Sequence, residues 1–271
     1  MFFLSYLLAA AIGYLGYRAR ALSVSGAVAA CLAGGTVFGF GGVAPALLLV
    51  AFFASSSLLS FFRAGDPAKT RAAETFEKGG RRDAAQVVAN GGVAALMALL
   101  GYFFPSPLFA GAFIGALAAA TADTWATEVG VLSKRQPRLV TTGAVVPAGT
   151  SGGITVLGSI AAMAGALFIG ALAALLSLFP LDGSASDFAF TALASALLGG
   201  SAGSFADSFL GATVQASYYC PTCNKPTESK VHRCGTRARL VGGVAWVNND
   251  MVNLAATAMG AVVGGVVAFV F

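Results

Sequence analysis

The chain has 271 residues, 57% of them hydrophobic and 10% charged, with 35 glycines, a mean hydropathy of +0.81 and a net charge of +5. Soluble domains carry about a quarter charged residues, whereas here continuous apolar runs recur that are long enough to cross a hydrocarbon core of roughly 30 Å as helices. That excludes a soluble enzyme; the continuity of the runs excludes a membrane β-barrel, whose strands alternate over about ten residues, and a positive charge held in loops without interleaved aromatics excludes a nucleic-acid module.

In chain order the apolar runs predict an all-α, polytopic transmembrane bundle of about eight spans: 1–17, 24–41, 43–62, 84–104, 108–128, 152–180, 187–214 and 246–271. All belong to one transmembrane domain, 1–271. The first run lacks a basic leading segment and a cleavage site, so it reads as a retained helix and not a signal peptide. The weakest division is at Gly41 and Gly42; a seven-span count follows if 24–62 holds one span and a re-entrant piece. With eight spans, the loops 18–23, 63–83, 129–151 and 215–245 share one side, and all 16 Lys and Arg residues lie in them. The opposite connections carry only Asp182 and Asp187. The positive-inside rule makes the basic loops cytosolic, and the lack of a visible transit peptide points to a prokaryotic plasma membrane.

Residues 65–92, GDPAKTRAAETFEKGGRRDAAQVVANGG, lead from the second basic loop into the fourth span. Asp83, Gln86 and Asn90 stand at i, i+3 and i+7 and share one helical face. Just before them Lys78, Arg81 and Arg82 flank Gly79 and Gly80, where backbone amides can approach an anion and helix-start N–H groups can receive phosphate. A basic loop that only sets topology is the alternative, and the polar face continuing into the membrane argues against it.

The fifth span closes with ATADTWATEVG, residues 120–130. An acid near membrane depth costs about 2.5–3.5 kcal/mol on insertion scales and by default marks a functional site. Asp123 and Glu128 are five residues apart, about 140° around a helix. Either the helix ends near Thr127, or the two acids have different tasks. Asp123 is suited to Mg²⁺, which takes one or two carboxylates and completes its shell with substrate phosphates; a packing hydrogen bond is the plainer alternative.

LVTTGAVVPAGTSGGIT, residues 139–155, opens the sixth span. Thr150 and Ser151 are natural N-caps, and Gly149, Gly152 and Gly153 permit a tight turn with exposed backbone, a plausible phosphate cradle. It lacks the GxxxxGK[ST] pattern and a preceding strand, so it is not a Walker P-loop. Ser204 and Asp207 approach the end of the seventh span, where Ala206, Asp207 and Ser208 faintly repeat Ala122, Asp123 and Thr124 in a span of the same direction. In the eighth, WVNNDMVN puts Asn249, Asp250 and Asn253 on one helical face; such amides also pair across helices for packing alone. All these clusters lie at the basic end, whereas a transporter needs polar groups near the midplane. The pattern suits a site that takes a soluble substrate from the cytosol and a lipid from the bilayer.

The last basic loop holds YYCPTCNKPTESKVHRCG, residues 218–235. Its Cys220, Cys223, His232 and Cys234 make a Cys3His set, the stoichiometry of a closed structural Zn²⁺ site, and so read as a staple for the loop. Free thiols in a cytosolic loop are the alternative.

With these residues in view, the chain resembles the integral membrane family to which the plant phytyl-phosphate kinases belong. The resemblance rests on KGGRRDAAQVVANGG, ADTWATEVG, TTGAVVPAGTSGGIT, GSFADSFLGATVQ and NNDMVN, in this order along most of the chain. It implies transfer of phosphate from a nucleoside triphosphate to a prenyl or phytyl monophosphate, giving the diphosphate. More distantly the chain is similar to CTP-using dolichol kinases and phosphatidate cytidylyltransferases, which favours CTP. On this reading Asp123 and Asp207 hold Mg²⁺, with Glu128 a third ligand or an orienting base. Lys78, Arg81, Arg82 and the 149–153 turn bind nucleotide phosphates. An acceptor phosphate is already ionised and needs no strong general base. A lipid cytidylyltransferase using the same groups, or an ion-coupled transporter, are the rivals.

Overall fold

The structure is a computed structural model and describes residues 2–62, 64–73, 75–78, 80–178 and 188–271. Gly79, Asp182 and Asp187 lie outside the described residues. The apolar runs fold as helices α1 (Phe2–Arg18), α2 (Val24–Thr36), α3 (Val43–Phe61), α5 (Ala84–Phe103), α6 (Pro107–Gly130), α7 (Val156–Ser177), α8 (Phe188–Thr213) and α9 (Asn249–Val270); a short α4 (Pro67–Ala73) lies in the second basic loop. The chain is an integral, multi-pass membrane protein.

Seven of these helices are long and apolar enough to cross a bilayer, counting α2 with the single π-helical turn Val37–Gly41 that extends it. The eighth, α1, has 17 residues, about 25 Å of rise. It runs antiparallel to α2 along that helix and its π-turn: Gly13 faces Ala27, Ala9 faces Gly34, and Tyr6 and Phe2 face Gly35 and Gly39. The break between α2 and α3 falls at Gly42, with φ of 84°, so residues 24–61 form two helices and not one span with a re-entrant piece. Two long helices separate each basic loop from the next, which brings the four loops to one end of the bundle. At the opposite end Phe2 and Phe40 pack as a tilted pair with centroids 4.9 Å apart, and Tyr102 meets Phe40 edge to face at 5.3 Å.

The centre is α6, in which every residue from Gly111 to Ala122 is buried. A helix buried all round needs small neighbours in a membrane, where packing and not water release drives association. The sequence supplies a GxxxG pair on each of three helices: Gly111 and Gly115 on α6, Gly199 and Gly203 on α8, Gly260 and Gly264 on α9. A Cβ on Gly264 would lie 2.5 Å from the Gly111 carbonyl oxygen, and one on Gly260 equally near that of Gly115. Ser195 adds a hydrogen bond to the Gly264 carbonyl at 3.0 Å, and Thr257 one to that of Ala89 at 2.9 Å.

At the basic end the backbone is stitched between loops. Ser23 N–H donates to the Arg82 carbonyl at 2.9 Å, and Arg82 N–H to that of Ala21 at 3.0 Å. Two small sheets lie here. One is the antiparallel pair β1 (Arg138–Leu139) and β2 (Gly153–Ile154); the other is β3 (Ser217–Cys220) between β4 (Lys225–Thr227) and β5 (Arg239–Gly242). The first corrects an expectation: the sixth span begins at Val156, not 152, and its N-cap is Thr155, whose hydroxyl accepts from Gly158 N–H at 2.9 Å. Thr150 and Ser151 instead close the hairpin, Thr150 donating to the Pro147 carbonyl at 2.8 Å.

Candidate functional site

The basic end encloses a cavity of about 950 Å³ lined by residues of α3 to α9 and of the three loops between them at that end. Asp123 reaches it from α6 and Asp207 from α8, and the faint repeat in sequence is realised as two helices running in parallel with these acids at one depth. Their carboxyls are hydrogen-bonded to each other. Among the described residues no cation pairs with either, and Asp207 Oδ2 is buried without a hydrogen-bond partner. Two carboxyls side by side need a shared proton or a cation between them. A hard cation that takes one or two carboxylates and otherwise water or phosphate oxygens fits this pair.

Helix α6 continues unbroken to Gly130, so Glu128 meets the cavity from a different side of the helix than Asp123. It receives the Ser60 hydroxyl on Oε1 and the Lys69 ammonium on Oε2, each at 2.6 Å. Lys69, on α4, is buried and also donates to the Leu59 carbonyl at 2.7 Å. Of the two alternatives, different tasks for Asp123 and Glu128 is the one the helix imposes.

Lys78 lies between two acids, paired with Asp250 of α9 and, at 2.8 Å, with Asp83. Burial lowers its pKa, but the bonds to Asp250 and Asp83 outweigh that and leave it raised. Asp83 conversely is held below the ordinary carboxylate range: burial raises it, and Lys78 with the Gln86 backbone more than reverses this. Asp83 and Gln86 also form a reciprocal capping box at the start of α5, at 3.0 and 3.1 Å. The helix-start amides expected to receive phosphate are thus partly taken by the chain's own carboxylate. Asp83 does not line the cavity. Nor does Arg81, whose guanidinium lies 5.9 Å from the Tyr17 ring centre, whereas Arg82 does and donates to Ser57 at 2.9 Å.

Gln86, Asn90, Ser204, Asn249, Asp250 and Asn253 all line the cavity, as do Gly149, Thr150, Ser151, Gly152 and Gly153. The 149–153 turn is held close by backbone that only glycine accommodates. Gly149 has φ of 86° against the Ala72 carbonyl, and Gly152 φ of 74° against α8, where a Cβ would lie 2.6 Å from the Ser208 carbonyl oxygen. Gly143, in the hairpin tip, is open.

Among the lining residues not expected from the sequence are Lys134, Arg135, Gln215 and Glu228. Lys134 and Arg135 follow α6 and bring exposed cations to the rim. Gln215 and Glu228 come from the cysteine loop's side. Glu228 Oε1 accepts from Ser151 at 2.6 Å and from Gln215 at 2.8 Å, its Oε2 takes the Glu77 amide at 3.3 Å, and its own N–H donates to the Thr75 carbonyl at 2.9 Å. Burial pushes the Glu228 carboxyl up, against the lowering effect of the Ser151 bond. A signal existed only in part: Glu228 is the lone acid in a loop otherwise basic.

Outside the cavity, Cys220, Cys223, His232 and Cys234 bring one ligand atom each to within 4.8 Å of one another. The Cys220 and Cys234 sulfurs are 3.6 Å apart, and His232 Nδ1 is 3.1 Å from Cys234 Sγ. Tetrahedral thiolate ligands at about 2.3 Å from an ion stand roughly 3.7 Å apart, so this group can hold a metal ion. The strand ends set it: Cys220 ends β3, Cys223 follows in the turn to β4, and Asn224 takes φ of 52° to let the chain double back.

Residues 7–261 match the family described as Integral membrane protein DUF92. The chain is 34% identical over 259 residues to "Protein PGR" of Arabidopsis thaliana, a match covering 89% of this chain and 87% of that protein. It is 30% identical over 262 residues to "Uncharacterized membrane protein MJ0933" of Methanocaldococcus jannaschii, covering 97% and 92%. No solved structure matches.

Proposed function

The chain belongs to the DUF92 family of integral membrane proteins, and from that premise we propose that it is a kinase of prenyl or phytyl monophosphates, with the site on the cytosolic side of a prokaryotic plasma membrane. The observation that carries the reading is the apposition of Asp123 and Asp207, with an unpartnered oxygen, on the wall of a cavity that also presents amides, hydroxyls, glycines and the rim cations Lys134 and Arg135. Asp123 and Asp207 would hold Mg²⁺, which when bound neutralises phosphate charge. The terminal phosphoryl group of a nucleoside triphosphate, CTP by resemblance, passes to an oxygen of the lipid phosphate. One P–O bond forms as the bond to the departing nucleoside diphosphate breaks.

The chain's own groups position and screen. Lys134 and Arg135 meet the triphosphate at the rim, and the 149–153 turn and the hydroxyl of Ser204 line its path. Gln86, Asn90, Asn249 and Asn253 offer neutral donors that orient without adding charge. Lys78, screened by Asp83 and Asp250, holds the α5 and α9 starts together more than it binds phosphate. Such a set supplies positioning and charge stabilisation, which is most of what phosphoryl transfer asks of a protein. The Cys3His group, as a Zn²⁺ site, would staple the loop that delivers Glu228.

The test is transfer from labelled CTP and ATP to phytyl, geranylgeranyl and farnesyl monophosphates by purified protein, beside Asp123→Asn and Asp207→Asn. Diphosphate formed by the native chain and lost in both variants is the expected result. A nucleotide-linked lipid with released pyrophosphate would make it a cytidylyltransferase, and no nucleotide binding would overturn both.

A further inference from the structure

We propose that the cavity opens sideways into the bilayer between α7 and α8, and that this opening binds the hydrocarbon chain of a single-chain lipid phosphate whose headgroup reaches Asp123 and Asp207. The identity of the headgroup rests on the kinase reading; the opening itself does not.

Depth comes first. On α7, Gly158 packs against Ala126 and Gly130, and Gly165 against Thr121 and Ala122. Met163, between them, therefore stands at the level of Asp123. Its side chain lines the cavity, yet the residue is 60% exposed; Phe205, two residues before Asp207 on α8, lines the same cavity and is 62% exposed. Within a membrane-crossing segment, an outward surface faces lipid. Side chains that border a polar cavity and also lie on that surface mark an opening towards hydrocarbon.

A second observation points to the same ligand. A shallower groove of about 420 Å³ runs on the outer face of α7 over Leu157 and Ile160, and shares Lys134 and Arg135 with the main cavity. Both apolar residues are exposed. Cations thus stand where an apolar groove on the lipid side meets the polar chamber, which is the complement of an amphiphile with an anionic head and an apolar tail. Long basic side chains are suited to this boundary, with stems on apolar surface and heads at the polar edge. Because the opening is lateral and not a closed tunnel, the tail beyond its first units stays among the lipids. The site therefore reads the headgroup and the near end of the chain, and does not measure total length.

The experiment uses the full-length native protein in nanodiscs and farnesyl phosphate carrying a photoreactive diazirine near its headgroup, with adducts mapped by mass spectrometry. Expected are adducts on the α7 segment 159–163 and the α8 segment 201–205, lost on competition with unlabelled farnesyl or geranylgeranyl phosphate alike and retained with farnesol. Adducts spread over other lipid-facing positions such as Leu15 or Val262, or adducts insensitive to competition, overturn the proposal. Competed adducts at α7 and α8 without any transfer from CTP or ATP leave the opening in place and remove the kinase. Transfer together with adducts elsewhere does the reverse. As a second arm, Met163→Trp narrows the opening and should lower the yield of the competed α8 adducts while leaving nucleotide binding unchanged; an unaltered yield counts against the site.

Discussion

Removing Lys69 tests how the basic end is held together. Lys69 is 9% exposed, its ammonium donates to the Leu59 carbonyl and to Glu128, and among the described residues Glu128 otherwise accepts only from Ser60. In Lys69→Met the carboxylate of Glu128 keeps one of its two partners and loses its directly paired cation. Deleting one member of a buried ion pair costs about 3–5 kcal/mol. The Glu128 side chain is 24% exposed, towards the cavity, so solvent recovers part of this and the expected loss is about 2–3 kcal/mol. Glu128→Gln leaves the ammonium with the Leu59 carbonyl and an amide oxygen and should cost about 1–2 kcal/mol. The double variant should cost less than the sum of the two, because neither charge is then stranded, giving a coupling of about 1–2 kcal/mol. Thermal denaturation in detergent reads this at roughly 2–4 °C per kcal/mol for chains of this size. Additive single effects, or a Lys69→Met melting point equal to the native one, would refute the reasoning and shift the balancing charge to Arg82, which also acts electrostatically on Glu128.

The carboxylate pair should trade stability for activity: Asp123→Asn and Asp207→Asn relieve two like groups in contact and are expected to raise the melting temperature while lowering phosphate transfer by roughly 10²-fold or more; a fall in both would make the acids structural. Glu228 carries a pH dependence whose sign follows from its raised pKa. The folded state holds its proton more tightly than the unfolded one, so its contribution is complete below the ordinary value of 4.5 and is lost as pH rises through the folded pKa. Amide protection factors across 217–242 should therefore fall with rising pH in the native protein and stay flat in Glu228→Gln. The Cys3His group should retain one equivalent of zinc through purification and, exchanged with cobalt, show the intense visible absorption of a tetrahedral thiolate site. Cys234→Ala should abolish both, and retention of full metal content would remove that cysteine from the ligand set.

Much of the architecture was legible because a membrane imposes one-dimensional rules. Apolar runs of sufficient length had to become helices, and sixteen cations on four loops had to share an end. The clustering of Asp123, Asp207, Asn253 and the 149–153 turn followed from depth alone, since each stands near the same end of its span. What failed was whatever depended on register between distant segments. Thr155, not Thr150 or Ser151, caps α7, because β1 and β2 pair and take up the residues from 138 to 154. Lys69 read as one more topological charge, and nothing local shows that α4 folds it under Glu128, 59 positions on. The pairing of Lys78 with Asp250 spans 172 positions and is equally invisible to spacing. The 140° between Asp123 and Glu128 was legible, and only the uninterrupted course of α6 decided what it meant.

The stitching at the basic end has a consequence for how the polypeptide is joined. Residues before the turn at Phe104 to Ser106 are joined to those after it by Lys69 to Glu128, Lys78 to Asp250, Thr75 to Glu228 and Ala89 to Thr257. Among the described residues that turn bonds only to its own two helices, Phe104 N–H to the Leu100 carbonyl and Ser106 to the start of α6. The bonds that hold the two halves together therefore lie elsewhere than at that turn. The protein is in this sense a two-piece object, a front half and a back half joined by bonds that do not pass through that turn.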